Sequence, residues 1–88
     1  MDLRNTIVQS FHRALERRQQ HLVGKLDDDT VLLESGLDSL GFALLVVMLE
    51  EELGYDPFSM MDEGDYPTTF GQFVTAYSEF SPHEFSFR

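Results

Sequence analysis

The chain has 88 residues, 42% of them hydrophobic and eight of them Phe, so it suits one domain with a small core and is too apolar for a disordered acidic tail. A net charge of −10 argues against nucleic acid or an anionic membrane as a ligand. With no cysteine there is no disulfide framework and no protein thiol, so any thiol acting here is imported on a prosthetic group.

The charge is uneven along the chain. Residues 1–26 carry Arg4, Arg13, Arg17, Arg18 and Lys25 against Asp2 and Glu16, whereas the remainder holds fourteen acids against Arg88. Such a field favours partners with basic patches. The N-terminus lacks a signal-peptide pattern, and the longest apolar run, Phe42 to Leu49, is far too short to span a bilayer. A cytoplasmic protein without membrane insertion is therefore expected.

In chain order, Asp2 is placed to cap a first helix of about 3–21. Leu3, Ile7, Phe11 and Leu15 recur every four residues, Val8 and Ala14 widen that face, and Arg13, Glu16, Arg17 and Arg18 fall on the solvent side. His12 and His21 are too far apart to form one helical metal pair. Residues 22–37 read as a long connection, which Leu26, Val31, Leu32, Leu33 and Leu37 could pin to a core. Asp27, Asp28 and Asp29 invite a calcium reading. It fails, because a helix-loop-helix calcium loop counted from Asp27 needs Gly and Glu where Leu32 and Asp38 stand.

The strongest helix is predicted over 39–53, with Asp38 as N-cap and Gly54 as its stop. Phe42, Leu45, Val46, Leu49 and Leu53 form a core-facing stripe. Leu40, Ala43, Leu44, Val47 and Met48 lie off it, so the helix is apolar over most of its circumference and needs either deep burial or a partner. Asp56 and Pro57 then suit the start of a short helix of about 57–63, ended by Gly64. Thr69 with Gln72 matches a capping box, and Phe70, Phe73, Val74 and Tyr77 give the inward stripe of a last helix over 70–79. Residues 1–80 are expected to form the domain and 81–88 a tail. The assembled expectation is an all-α, small four-helix bundle with three main helices and one short one.

Gly36-Leu37-Asp38-Ser39-Leu40-Gly41, the apolar helix behind it and the acids Glu50 to Glu52 resemble the Asp-Ser-Leu motif and following helix of acyl carrier proteins. The likeness is close over about 31–53 and follows by pattern elsewhere. It implies a non-catalytic carrier whose serine, here Ser39, holds 4′-phosphopantetheine through a phosphodiester, with Asp38 and Leu40 as flanking recognition residues. The arm's thiol would carry an acyl or aminoacyl thioester. Implied partners are a phosphopantetheinyl transferase, an acyl- or aminoacyl-activating enzyme, and downstream transferases or synthases of fatty-acid, polyketide or nonribosomal peptide-type biosynthesis. Monomer is the default for such a shuttle.

A phosphate at a helix N-terminus meets unsatisfied N–H groups and the positive end of the dipole, so the site suits the anion. The hydroxyl needs no local base, since a transferase would supply the chemistry. Hydrolase readings of Ser39 fail at Leu37, where both G-x-S-x-G and the Gly-Asp-Ser-Leu pattern require glycine. The chain departs from typical fatty-acid carriers at Gly41 and Leu44, positions where those proteins expose acids soon after the serine. This suggests a more apolar partner surface built from Leu40, Leu44, Val47, Met48 and Glu51. The competing function is an acidic helical adaptor that binds through the same face without a prosthetic group.

Overall fold

The computed structural model of the chain describes residues 2–60 and 66–79. Three α-helices make the framework, α1 (Leu3–Arg17), α2 (Ser39–Leu53) and α3 (Phe70–Glu79), with 3-10 turns at Leu32–Glu34 and Pro57–Met60. Among the described residues there is no strand, only an isolated antiparallel bridge between Val31 and Thr69. The fold is the all-α bundle that the sequence predicts.

Asp2 caps α1 as expected, its carboxylate accepting from the Asn5 N–H at 3.3 Å. The helix buries Ile7, Phe11, Ala14 and Leu15, and also Ser10, which the apolar pattern does not mark. It ends at Arg17, four residues before the predicted limit. The Gln20 N–H reaches back to the Leu15 carbonyl at 2.8 Å and the Gln19 N–H to that of Glu16 at 3.0 Å. This is a Schellman stop, built with Gln19 in the left-handed position at φ 56°. Glycine ordinarily marks that position, and a residue with a Cβ takes it at a cost of about 1 kcal/mol, so local sequence gives no warning of the turn.

The bounds of α2 are those predicted. Asp38 Oδ1 accepts the Gly41 N–H at 2.7 Å, and the Gly54 N–H closes the far end on the Glu50 carbonyl at 2.8 Å. Leu45, Leu49 and Leu53 are buried while Phe42 and Val46 pack half-buried beside them. Gly41 is corrected: it is buried, not on the exposed face. A Cβ there would lie 2.6 Å from Leu37 Cδ1, so this turn of α2 is pressed onto the Leu37 side chain, itself only 1% exposed.

The bounds of α3 are also as predicted. Thr69 Oγ1 accepts the Gln72 N–H at 3.2 Å, and Gln72 Oε1 accepts the Thr68 N–H at 2.8 Å. Phe70, Phe73, Ala76 and Tyr77 are buried along it. The predicted helix over about 57–63 is a 3-10 turn at Pro57–Met60, capped by Asp56 Oδ1 accepting the Phe58 N–H at 2.9 Å. The rest of that range, and the expected tail 81–88, lie outside the described residues.

The long connection is tied down along its length. Main-chain bonds join Leu32 N–H to the Thr68 carbonyl (2.9 Å), Phe70 N–H to that of Thr30 (2.8 Å) and Gly71 N–H to that of Asp28 (3.0 Å). Leu32 and Leu37 enter the core and Leu26 packs against it, whereas Leu33 stays 61% exposed. Asp28 pairs with Arg4, and Asp27 accepts from the Asp29 N–H within its own turn, so these acids have structural partners. The core is aromatic between α2 and α3. Phe73 stacks on Phe58 with centroids 5.6 Å apart and meets Phe42 at 5.6 Å and Tyr77 at 5.0 Å. Each buried aromatic contributes about 1.5–3 kcal/mol of hydrophobic stabilisation.

Candidate functional site: the start of the second helix

Segment 35–39 is shaped residue by residue. The Ser35 side chain is buried and its hydroxyl donates to the Leu32 carbonyl, which closes the 3-10 turn. Gly36 has φ +107°, and a Cβ on it would sit 2.0 Å from the His21 carbonyl oxygen, so only glycine lets the chain pass this close. Leu37 plugs the core, and Asp38 then caps α2 and hands the chain to Ser39.

Ser39 is exposed in the first turn of α2, and its hydroxyl makes no hydrogen bond among the described residues. The other described serines differ. Ser10 and Ser35 are buried, Ser59 donates to the Asp56 carbonyl at 2.8 Å, and Ser78 lies in the last turns of α3. Asp38 takes the Gly41 N–H, which leaves the N–H groups of Ser39 and Leu40 at the open end of the helix. These donors and the dipole suit an anion joined to the Ser39 oxygen.

The cation paired with Asp38 is Arg18. Its Nη2 donates to Asp38 Oδ2 at 3.0 Å, while Gln20 Oε1 accepts the Asp38 N–H at 3.4 Å. The Arg18 guanidinium, followed by the Gly41 N–H, holds the Asp38 carboxyl down at about 2. Asp38 is thus an anion across the physiological range, and its charge is partly offset before any phosphate arrives. The sequence pattern put Arg18 on the solvent side of α1. In the structure it is the C-cap of the shortened helix and reaches across to α2. Neither Arg18 nor Gln20 could be found from local pattern, because the contact spans about twenty positions and depends on the turn at Gln19.

Leu40, Leu44, Val47, Met48 and Glu51 fall on one stripe of α2. Leu40 is 65% and Val47 52% exposed, Glu51 is exposed, and Leu44 and Met48 are half-buried. Beside Phe42, one turn beyond Ser39, an open and mainly apolar cleft of about 270 Å³ is lined by Val31, Leu32, Leu33, Tyr66, Pro67 and Thr68. Sequence reasoning missed this cleft, since it placed Leu33 with the residues that pin the connection to the core, whereas Leu33 stays exposed beside the cleft. Among the described residues no group of three His, Cys, Asp or Glu could hold a metal, and no helix is long and apolar enough to cross a membrane.

The fold is a small acidic all-α bundle whose second helix opens on an exposed serine. The family model described as "Phosphopantetheine attachment site" matches residues 5–62, and the chain belongs to that family. No curated protein and no solved structure matches it at a significant level. Its prosthetic group is 4′-phosphopantetheine, and it is a phosphopantetheine-carrying carrier protein of the acyl carrier type. Domains of this family are generally non-catalytic and work with a phosphopantetheinyl transferase and with biosynthetic enzymes.

Proposed function

We propose that Ser39 is the attachment residue, and that residues 1–80 act as a cytoplasmic, monomeric shuttle for an acyl or aminoacyl thioester in fatty-acid, polyketide or nonribosomal peptide-type biosynthesis. The observation carrying this is the free, exposed Ser39 hydroxyl at the amino end of α2. During loading the Ser39 oxygen forms a new bond to the phosphorus of coenzyme A next to the pantetheine. The phosphoanhydride bond breaks, the nucleotide leaves, and the serine proton passes to a base of the transferase. The bound arm then supplies the thiol that the chain itself lacks. Asp38 and Leu40 flank the serine as recognition residues, the first fixed by its cap and the second 65% exposed.

Leu40, Leu44, Val47, Met48 and Glu51 are proposed as the partner surface. The exposure of Leu40 and Val47 supports this, since isolated burial does not explain large apolar side chains left in water along one stripe. Gly41 has no part in it. The apolar cleft at Phe42 offers a resting place for a short apolar cargo near its point of attachment. The test is intact mass after incubation with coenzyme A and a broad-specificity phosphopantetheinyl transferase. A gain of one phosphopantetheine that is absent in Ser39→Ala supports the proposal. No gain with several transferases favours the adaptor reading instead.

A further inference from the structure

The segment leaving α1 lies against the segment entering α2 at successive points. Arg18 pairs with the Asp38 carboxylate at 3.0 Å, Gln20 accepts the Asp38 N–H at 3.4 Å, and the Val23 N–H donates to the Ser35 carbonyl at 2.8 Å. Between them the His21 carbonyl fills the place where a side chain on Gly36 would stand. Residues 18–23 thus form a splint along residues 35–38, and Ser39 is the next residue. Arg18 holds the end of that splint nearest the serine. It also fixes Asp38 in the orientation in which one carboxylate oxygen faces the guanidinium and the other caps Gly41.

Resting on the reading that Ser39 is the attachment residue, we infer that Arg18 is a positioning residue for loading. It holds Asp38 and the chain before Ser39 in the single arrangement a transferase must recognise. Without Arg18 the Asp38 side chain gains other rotamers, and the competent arrangement becomes one among several. When only a fraction of molecules is competent, apparent affinity falls by that fraction, while the rate from the bound complex is preserved. The signature is a raised KM with kcat retained.

The experiment compares wild type, Arg18→Gln, Arg18→Lys and Arg17→Gln as substrates of one phosphopantetheinyl transferase, with KM and kcat separated and the Asp38 carboxyl followed by NMR. Arg17→Gln removes the same charge from the neighbouring exposed residue. Arg18→Gln is expected to raise KM about two- to fivefold with kcat within about twofold of wild type. Its Asp38 midpoint should move up towards the ordinary carboxylate range. Arg18→Lys, a cation without the planar fork, should fall between the two. Arg17→Gln should match wild type, since among the described residues the Arg17 side chain makes no ion pair or hydrogen bond to the segment before Ser39.

Equal KM for wild type and Arg18→Gln, with Asp38 shifted, would show a pair with no role in loading. An unmoved Asp38 midpoint would show that the pair does not form in solution. Equal losses in Arg17→Gln and Arg18→Gln would assign the effect to net charge, and each of these results overturns the inference. If wild type itself is not loaded, it is the assignment of Ser39 that fails.

Discussion

Replacing Gly36 with alanine probes the joint between the two segments most severely. The backbone there has φ +107°, and the new Cβ would lie 2.0 Å from the His21 carbonyl oxygen and 3.0 Å from its carbon. Holding a residue with a Cβ in such a conformation costs about 1–3 kcal/mol. Opening the overlap against main chain, which cannot rotate away as a side-chain tip would, adds about 1–3 kcal/mol. The expected loss is therefore about 4 kcal/mol, a large part of the roughly 4–13 kcal/mol available to a chain this size. Gly24 is the control, because its φ is also positive, at +73°, but nothing lies within 4 Å of its added Cβ. Gly24→Ala should cost only about 1 kcal/mol. Urea unfolding followed by circular dichroism reads the difference. With m near 1–2 kcal/mol/M, the Gly36→Ala midpoint should fall by roughly 2–4 M and that of Gly24→Ala by less than about 1 M. Midpoints within about 0.5 M of each other would refute the close approach of Gly36 to His21, and with it the splint.

Three further outcomes are expected. The Tyr77 hydroxyl is buried with no hydrogen-bond partner among the described residues, and burial first, then the Asp56 charge, pushes its pKa upward. Tyr77→Phe keeps the ring packing and removes the unpaired oxygen, so it should stabilise the protein by about 1 kcal/mol and raise Tm by roughly 4–8 °C; a lower Tm would mean that the hydroxyl is satisfied. Asp38 is held at about 2 in the fold, chiefly by Arg18, against about 3.9 for an unfolded aspartate. Its depressed value gives stability that is fully present above about pH 4 and is lost as pH falls through about 2; an NMR titration placing the Asp38 midpoint near 4 contradicts this. Val47→Asp should leave the melting temperature within a few degrees, because the residue is 52% exposed, while reducing loading or transfer by about tenfold. Cooperative unfolding at room temperature, the outcome expected for fully buried Leu45→Asp, would place Val47 in the core.

What could be read from the sequence was what short-range chemistry determines. The limits of α2 and α3 follow from Asp38, Gly54 and the Thr69 and Gln72 pair, each of which satisfies main-chain groups within a few residues. The exposed serine at the start of α2 is legible for the same reason. The early end of α1 was not, because Gln19 takes the left-handed position that glycine ordinarily marks. The rotation of α2 was legible in the stripe from Phe42 to Leu53, of which Leu45, Leu49 and Leu53 are buried. The pattern did not show that Gly41 is pressed onto Leu37. Arg18 and Gln20 join the site only once the chain has turned, and residues 28–32 are pinned by main-chain bonds to the start of α3 that no local motif encodes.

The central claim is that the hydroxyl of Ser39, and no other, accepts the prosthetic group. Fragmentation mass spectrometry of the protein digested after transferase treatment locates the ester directly. The account predicts one phosphopantetheine, found only on the peptide containing Ser39 and assigned to that residue. Modification on Ser59, Ser78 or any other side chain, or undiminished loading of Ser39→Ala, would contradict it.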